Sequence, residues 1–291
     1  MAYWLLAVNP TSGRGKGATL GREVAGYLSS HRQDYRLITA NSAAQLRQNL
    51  EKQVENEPEV LGIISVGGDG LAHLVLQIAT PRKIPVAPIP AGTGNDLARS
   101  LGWNINRIED YVNFVLHEEP VAIDLGLVDG EWFANILSTG FDSIVNERAN
   151  RISWPSGPSR YNVAIALELP LFKPRRYSIS LDNTVLEREA MLIAVANGPS
   201  YGGGMRVAPS ADFHDGFFDV VILKPVSKIE FIKVFPLVYS GSHISHPAIE
   251  IHRSMRVELH SDAIAYADGE RIGQLPVRAE CVPQAGLVWK S

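Results

Sequence analysis

The chain has 291 residues, 45% hydrophobic and 20% charged, with a formal net charge of −4. That balance excludes bulk nucleic-acid binding, which needs a basic surface, and no segment approaches the ~18–20 uninterrupted apolar residues of a membrane span. The single Cys281 excludes an internal disulfide framework and suits a reducing compartment.

The start, Met1-Ala-Tyr-Trp-Leu-Leu6, lacks a basic leader and enters a strand pattern at once, so a cytoplasmic protein is expected. Strand-like runs at 3–9, 35–39, 60–66 and 84–89 alternate with helical patterns at 16–30, 42–55, 71–80 and 94–117. Alternation of this kind predicts an α/β domain with a mostly parallel sheet and helices on both faces. Three of its strand ends carry glycine-rich loops. The first, Asn9-Pro-Thr-Ser12-Gly13-Arg14-Gly-Lys16-Gly17, enters a helix whose unpaired N–H groups and dipole favour anions. Arg14 and Lys16 add positive charge, but Gly17 after the lysine rules out a Walker A loop. The second, Gly67-Gly68-Asp69-Gly70, lets backbone approach a polyanion and delivers a carboxylate to the same edge. The third, Pro90-Ala-Gly92-Thr93-Gly-Asn95-Asp96, holds three helix-capping side chains where one would suffice. Ligands of open α/β sheets bind outside the carboxyl ends of parallel strands, where these loops fall.

From residue 121 the rhythm changes. Short strand-like runs recur at 121–128, 132–138, 175–182, 190–196, 217–224, 249–260, 263–267 and 276–282, with helical breaks at 141–150, 159–171 and 227–241. This pattern predicts a C-terminal antiparallel β-sandwich. The expected division is 1–124 and 125–291, with the final run Leu287-Val-Trp289 returning to the first domain.

Asn9-Pro-x-Ser-Gly13, Gly67-Gly-Asp-Gly70 and Pro90-x-Gly-Thr-x-Asn-Asp96, in this order, resemble the diacylglycerol kinase catalytic family, which includes soluble bacterial lipid kinases and sphingosine kinases. The likeness runs on through Ile123-Asp-Leu-Gly126, Asn135-Ile-Leu-Ser-Thr-Gly-Phe-Asp142, Ala208-Pro209 to Asp219, Asp268-Gly-Glu270 and Leu275-Pro276, and so spans the chain. It implies a two-domain kinase, with an N-terminal fold shared with NAD kinases and phosphofructokinases, that moves the γ-phosphoryl of ATP onto a lipid hydroxyl with Mg²⁺. By the same resemblance the first domain binds nucleotide through Asn9, Ser12, Gly13, Arg14, Lys16, Gly67, Gly68, Gly70, Gly92, Thr93 and Asn95. A carboxylate beside a polyphosphate needs an intervening cation, so Asp69 is the expected magnesium ligand. Asp96 and Asp124 complete its network, and Glu270 or Asp69 serves as general base. Asp142 is expected either to face the lipid head group or to cap a helix. Asp212 and Asp215, around a glycine turn, resemble a structural-magnesium loop of the bacterial members.

Two departures stand out. The family usually places Thr directly after Gly-Gly-Asp-Gly and Glu three residues later; here Leu71 and Leu74 stand there, with His73 expected on an exposed helix face. A lost hydrogen bond to a charged group costs roughly 1.5–3 kcal/mol, enough to weaken ATP binding. A weakened or inactive nucleotide- or lipid-binding member and a kinase for a soluble substrate therefore remain alternatives. For lipid access, Arg148, Arg151, Arg160, Lys173, Arg175 and Arg176 face a single acid, Glu168, with Trp154, Leu169, Leu171 and Phe172 interspersed. That mixture suits transient peripheral docking on an anionic membrane. Ile229–Tyr239 is an apolar helical pattern that suits an acyl groove or the core, and nothing in the sequence speaks against a homodimer.

Overall fold

The computed structural model describes residues 2–56, 59–103, 107–152 and 158–290. The chain divides into two compact units, residues 1–123 with 284–291, and residues 124–283.

In the first unit, β1 (Tyr3–Val8), α1 (Lys16–Ser30), β2 (Tyr35–Thr39), α2 (Ala43–Asn56), β3 (Val60–Gly67), α3 (Asp69–Ala79) and β4 (Val86–Pro90) follow one another, and then α4 (Asp96–Ser100) and α5 (Ile108–His117). The strands pair in parallel in the order β2-β1-β3-β4, and Val288 lies beside Val86 at the end of that row. β1 is buried along its whole length and β3 from Gly62 onward, which is why their apolar runs are unbroken. Trp4, Leu6, Ile64, Val66 and Ile89 meet Val24, Leu28, Tyr111 and Val115 of the helices in the core. The helix expected over 94–117 is two helices. Gly102 at φ 84° ends the first, its N–H donating to the Arg99 carbonyl.

The second unit begins within β5 (Val121–Val128) and continues through β6 (Glu131–Phe133), β7 (Ile136–Gly140), α6 (Phe141–Arg151), α7 (Pro158–Glu168), β8 (Arg175–Leu181), β9 (Thr184–Ala190) and β10 (Leu192–Ala196). Then come β11 (Phe218–Leu223), α8 (Lys228–Val234), β12 (Ile249–Ser254), β13 (Arg256–His260), β14 (Ile264–Ala267), β15 (Glu270–Gln274) and β16 (Val277–Val288), whose last residues belong to the first unit. One layer runs β16-β13-β8-β9, with β5 on β16 and β6 on β5; the other runs β12-β11-β10-β7-β14-β15. Tyr177, Ile179, Val257, Leu259 and Val277 of the first layer pack with Leu137, Ile193, Val195, Phe218 and Ala265 of the second. This is the expected sandwich. Its other face carries α6, α7 and α8 on Phe141, Phe172, Met191, Leu223 and Phe231. Cys281 is buried in the core, and burial pushes its thiol up to about 12.

Several elements differ from the sequence expectation. β9 escapes it because it is an edge strand whose Glu187 and Glu189 face solvent. The run 249–260 breaks at Met255, where Asp182 accepts the N–H groups of Met255 and Arg256. The helix expected over 227–241 stops at Val234 and tightens to a 3₁₀ turn over Phe235–Val238, because Pro236 cannot donate.

Candidate active site

Within the first unit the three glycine loops are held against one another. Gly13 and Arg14 lie at φ 56° and 60°, a left-handed pair that turns the chain into α1. A Cβ on Gly13 would stand 2.2 Å from the Ala91 carbonyl oxygen, so only glycine lets the first loop approach the third this closely. Gly68 and Gly92 meet the same way: a Cβ on Gly92 would lie 2.5 Å from Gly68 Cα. Asp69, the first residue of α3, completes the lock. Its Oδ2 accepts the Asn95 N–H at 2.7 Å and its Oδ1 the Asp96 N–H at 2.5 Å. The Asn95 side chain closes its own turn, accepting from Gly92 N at 2.8 Å and donating to Gly92 O at 2.9 Å. Asn9 Oδ1 accepts from Thr11, leaving Thr11, Gly13, Arg14, Lys16, Gly70 and Thr93 exposed along the rim. Asp96 is buried, with Arg99 at 3.9 Å. The result is a rigid rim of backbone and short polar groups with exposed cations, suited to an anion.

In the second unit Asp124 is buried and accepts the Gly216 N–H at 2.7 Å, while its own N–H donates to Phe213. Asn197 fastens the same strand, donating to the carbonyls of Asp124 and Ala134. Asp212 and Asp215, expected around a structural magnesium, are engaged by protein partners. Asp215 pairs with Arg253 and accepts from Phe217 N, and Asp212 accepts from His214. Arg253 also lies 3.6 Å from the buried Asp219 and 4.8 Å from the Phe217 ring centre, so a guanidinium occupies the middle of this loop.

Asp268-Gly269 forms the tight turn between β14 and β15, with φ 49° and 87°. The Asp268 carboxylate accepts the N–H groups of Ala134, Asn135 and Ile136 at 2.6–3.1 Å, a role that the strong Asp-Gly turn signal concealed. Glu270 is exposed opposite Ala267. Asp142, in the first turn of α6, accepts the Tyr201 hydroxyl at 3.1 Å and bonds the Ser138 side chain; burial pushes its carboxyl above the usual carboxylate range. Ser138 sits inside the Asn135–Asp142 motif without being singled out there, and Asn197 left no signal beyond being a polar residue just after the apolar run of β10.

Residues 3–128 match the model of the diacylglycerol kinase catalytic domain, and residues 135–289 match that of the YegS C-terminal NAD kinase beta sandwich-like domain. A diacylglycerol kinase of Mycobacterium tuberculosis is 32% identical over 284 residues, covering 95% of this chain and 91% of its own. The chain belongs to the diacylglycerol kinase family. A diacylglycerol kinase of Bacillus subtilis is 32% identical over 219 residues, covering 74% of this chain and 72% of its own. The fold matches the crystal structure of a Bacillus anthracis diacylglycerol kinase at a TM-score of 0.75 and 20% identity, covering 99% of this chain and 97% of that one. The protein is therefore a kinase of the lipid-kinase family.

The family departures have a physical reading in this kinase. Leu71 is buried and lies across Gly67, where a Cβ would come within 2.6 Å of Leu71 Cδ2; it packs the turn. His73 is buried, not exposed as expected, and Gln77 of the next turn approaches it on the same helix. No group of three or more His, Cys, Asp or Glu side chains suited to a metal occurs among the described residues. Trp154 and the Arg160 side chain lie outside the described residues.

Proposed function

We propose that this kinase transfers the γ-phosphoryl group of ATP to the hydroxyl of diacylglycerol or a closely related lipid alcohol. The observation that carries the reading is the Asp69 lock: one carboxylate holds the second and third glycine loops together through the Asn95 and Asp96 N–H groups. Phosphoryl transfer demands little covalent chemistry and much positioning, which a pre-closed set of loops supplies. Asn9, Ser12, Gly13, Arg14, Lys16, Gly67, Gly68, Gly70, Gly92, Thr93 and Asn95 hold the triphosphate through backbone N–H groups, short side chains and the two cations.

Asp69 presents a carboxylate at the glycine turn beside the expected phosphate site, and a carboxylate beside a polyphosphate suits a hard cation. Magnesium commonly takes one or two protein carboxylates together with substrate phosphates, and needs no dedicated cage. Mg²⁺ held there would supply positive charge against the phosphates; Asp96 supports Asp69 from the adjoining helix start. In the second unit Asp124 orders the loop at Gly216, and Asp142 binds the polar head of the acceptor. As the acceptor oxygen bonds to Pγ and the bond from Pγ to the departing ADP oxygen breaks, the hydroxyl proton passes to a carboxylate, Glu270 or Asp69.

The test follows labelled γ-phosphate from ATP into the organic phase, with Mg²⁺ and detergent-dispersed diacylglycerol, sphingosine or a soluble polyol. Label is expected in diacylglycerol, falling at least about 100-fold in Asp69→Ala and in Glu270→Gln, the scale expected of a lost base or charge stabiliser. Label in the polyol alone, or undiminished turnover in both variants, overturns the proposal.

A further inference from the structure

Glu270 leads β15 from an exposed position. A group that takes a proton must be held firmly, since a misplacement of about 1 Å can cost about 100-fold in rate. Two anchors bracket it in the chain. On one side Asp268 accepts the N–H groups of Ala134, Asn135 and Ile136. On the other, Arg271 donates from Nε to Glu147 Oε1 at 2.8 Å. The Tyr266 hydroxyl donates to that same oxygen, also at 2.8 Å.

The sheet explains why these groups meet. Ser138 of β7, Tyr266 of β14 and Arg271 of β15 stand directly opposite one another across three antiparallel strands, so they share a face. The helix α6 lies on that face. Its first turn brings Asp142 to Ser138, and Glu147 farther along reaches Tyr266 and Arg271. Glu270 sits in the next row, opposite Ala267, and strand alternation turns its side chain to the other face. Glu147 therefore acts on Glu270 through the strand that carries it.

As a stabiliser the contact does little. The Arg271 side chain is 50% exposed and that of Glu147 24%, and an ion pair so open to water contributes little to folding. Its hydrogen bonds from Tyr266 and then Arg271 hold the Glu147 carboxyl below the usual range, so it is an anion at neutral pH. Arg151 adjoins its second oxygen at 3.5 Å. What the contact fixes is position: one oxygen ties the helix of Asp142 to both strands of the hairpin that bears Glu270.

We infer that Glu147 is a positioning residue for phosphoryl transfer, holding the Glu270 hairpin against α6 through Arg271 and Tyr266. The inference rests on the lipid-kinase reading above and deepens it, because it makes Glu270 the group whose placement matters.

The experiment measures kcat, KM for ATP and melting temperature with detergent-dispersed diacylglycerol. Glu147→Ala is expected to lower kcat about tenfold, short of the full cost of misplacement because Asp268 still holds its side of the turn. Its KM for ATP and melting temperature are expected to stay at the wild-type values. Glu147→Gln keeps an acceptor oxygen and is expected to lose less. Glu147→Ala/Glu270→Gln is expected to be no slower than Glu270→Gln alone, since nothing remains to be positioned. Amide exchange over residues 268–272 is expected to accelerate in Glu147→Ala, while β10 and β11 keep their protection. Full kcat in Glu147→Ala, with wild type labelling the lipid, overturns the inference alone. So does a melting temperature that falls together with kcat, or a double variant in which the two losses multiply. Undiminished turnover in Glu270→Gln also overturns it, leaving the proton to Asp69 and the kinase reading intact. Wild type that labels no lipid sinks both.

Discussion

Asp142 is the residue whose chemistry depends most on its surroundings. Enclosure raises its carboxyl above the usual range, and bonds from Ser138, Tyr201 and the Ser143 N–H offset this only in part. A carboxyl whose folded value is raised favours folding fully below the unfolded value, about pH 3.9, and that contribution is lost as pH climbs through the folded value. Asp142→Asn is fixed in a neutral form, so its stability relative to wild type is expected to rise as pH increases above about 4. Urea midpoints measured for both proteins from acid to neutral pH test this; a constant difference would show that Asp142 is not strained by burial. On lipid turnover, the variant is expected to raise KM for the lipid more than it lowers kcat, if the carboxylate holds the head group. At this scale the sequence offered candidate residues but not what they touch. Asp69 was legible as a carboxylate among glycines, yet its hold on Asn95 and Asp96 lies 26 and 27 residues away and no spacing announces it. His73 misled because a histidine on a helix is commonly exposed, and here the helix is buried nearly all round.

Among the elements, the loop from Asp212 to Asp219 sets its acids beside a guanidinium. Acids clustered around a glycine turn repel one another unless a cation lies between them, and here Arg253 of β12 stands beside Asp215 and Asp219. The nucleotide-free kinase is therefore expected to keep its melting temperature in EDTA. Arg253→Ala is expected to lose about 1–3 kcal/mol, the cost of leaving a partner group unsatisfied, and to regain part of it on adding Mg²⁺ or Ca²⁺. A wild-type melting temperature that falls in EDTA would return this loop to the metal. The α/β half was readable at this scale because long buried strands alternate with amphipathic helices. The sandwich was readable as a class only. Its edge strand β9 is half polar, and β12 and β13 are separate because Asp182, more than 70 residues away, captures the N–H groups between them.

For the whole molecule, the telling segment is the last. Residues 284–291 belong to the first unit, and the sequence hinted at this through an isolated Leu-Val-Trp run after Pro283. Trp289 is buried, its ring 5.6 Å from that of Trp4, and its indole N–H donates to the Glu118 carbonyl at 2.7 Å. Its carbonyl accepts from Trp103 Nε1 at 2.7 Å, and both Trp4 and Trp289 press on Gly62, where a Cβ would lie 2.9 Å and 3.1 Å from them. Residues 284–291 thus complete the core of the first unit around Trp4 and Gly62. Trp289→Ala removes a large buried ring and is expected to cost about 3–5 kcal/mol. That loss should fall on the first unit: amide exchange in β1 and β3 is expected to accelerate, while β10 and β11 keep their protection. Equal acceleration in both units would mean that they unfold as one cooperative body. No change in either would mean that the packing of Trp289 on Trp4 contributes nothing to the stability of the first unit.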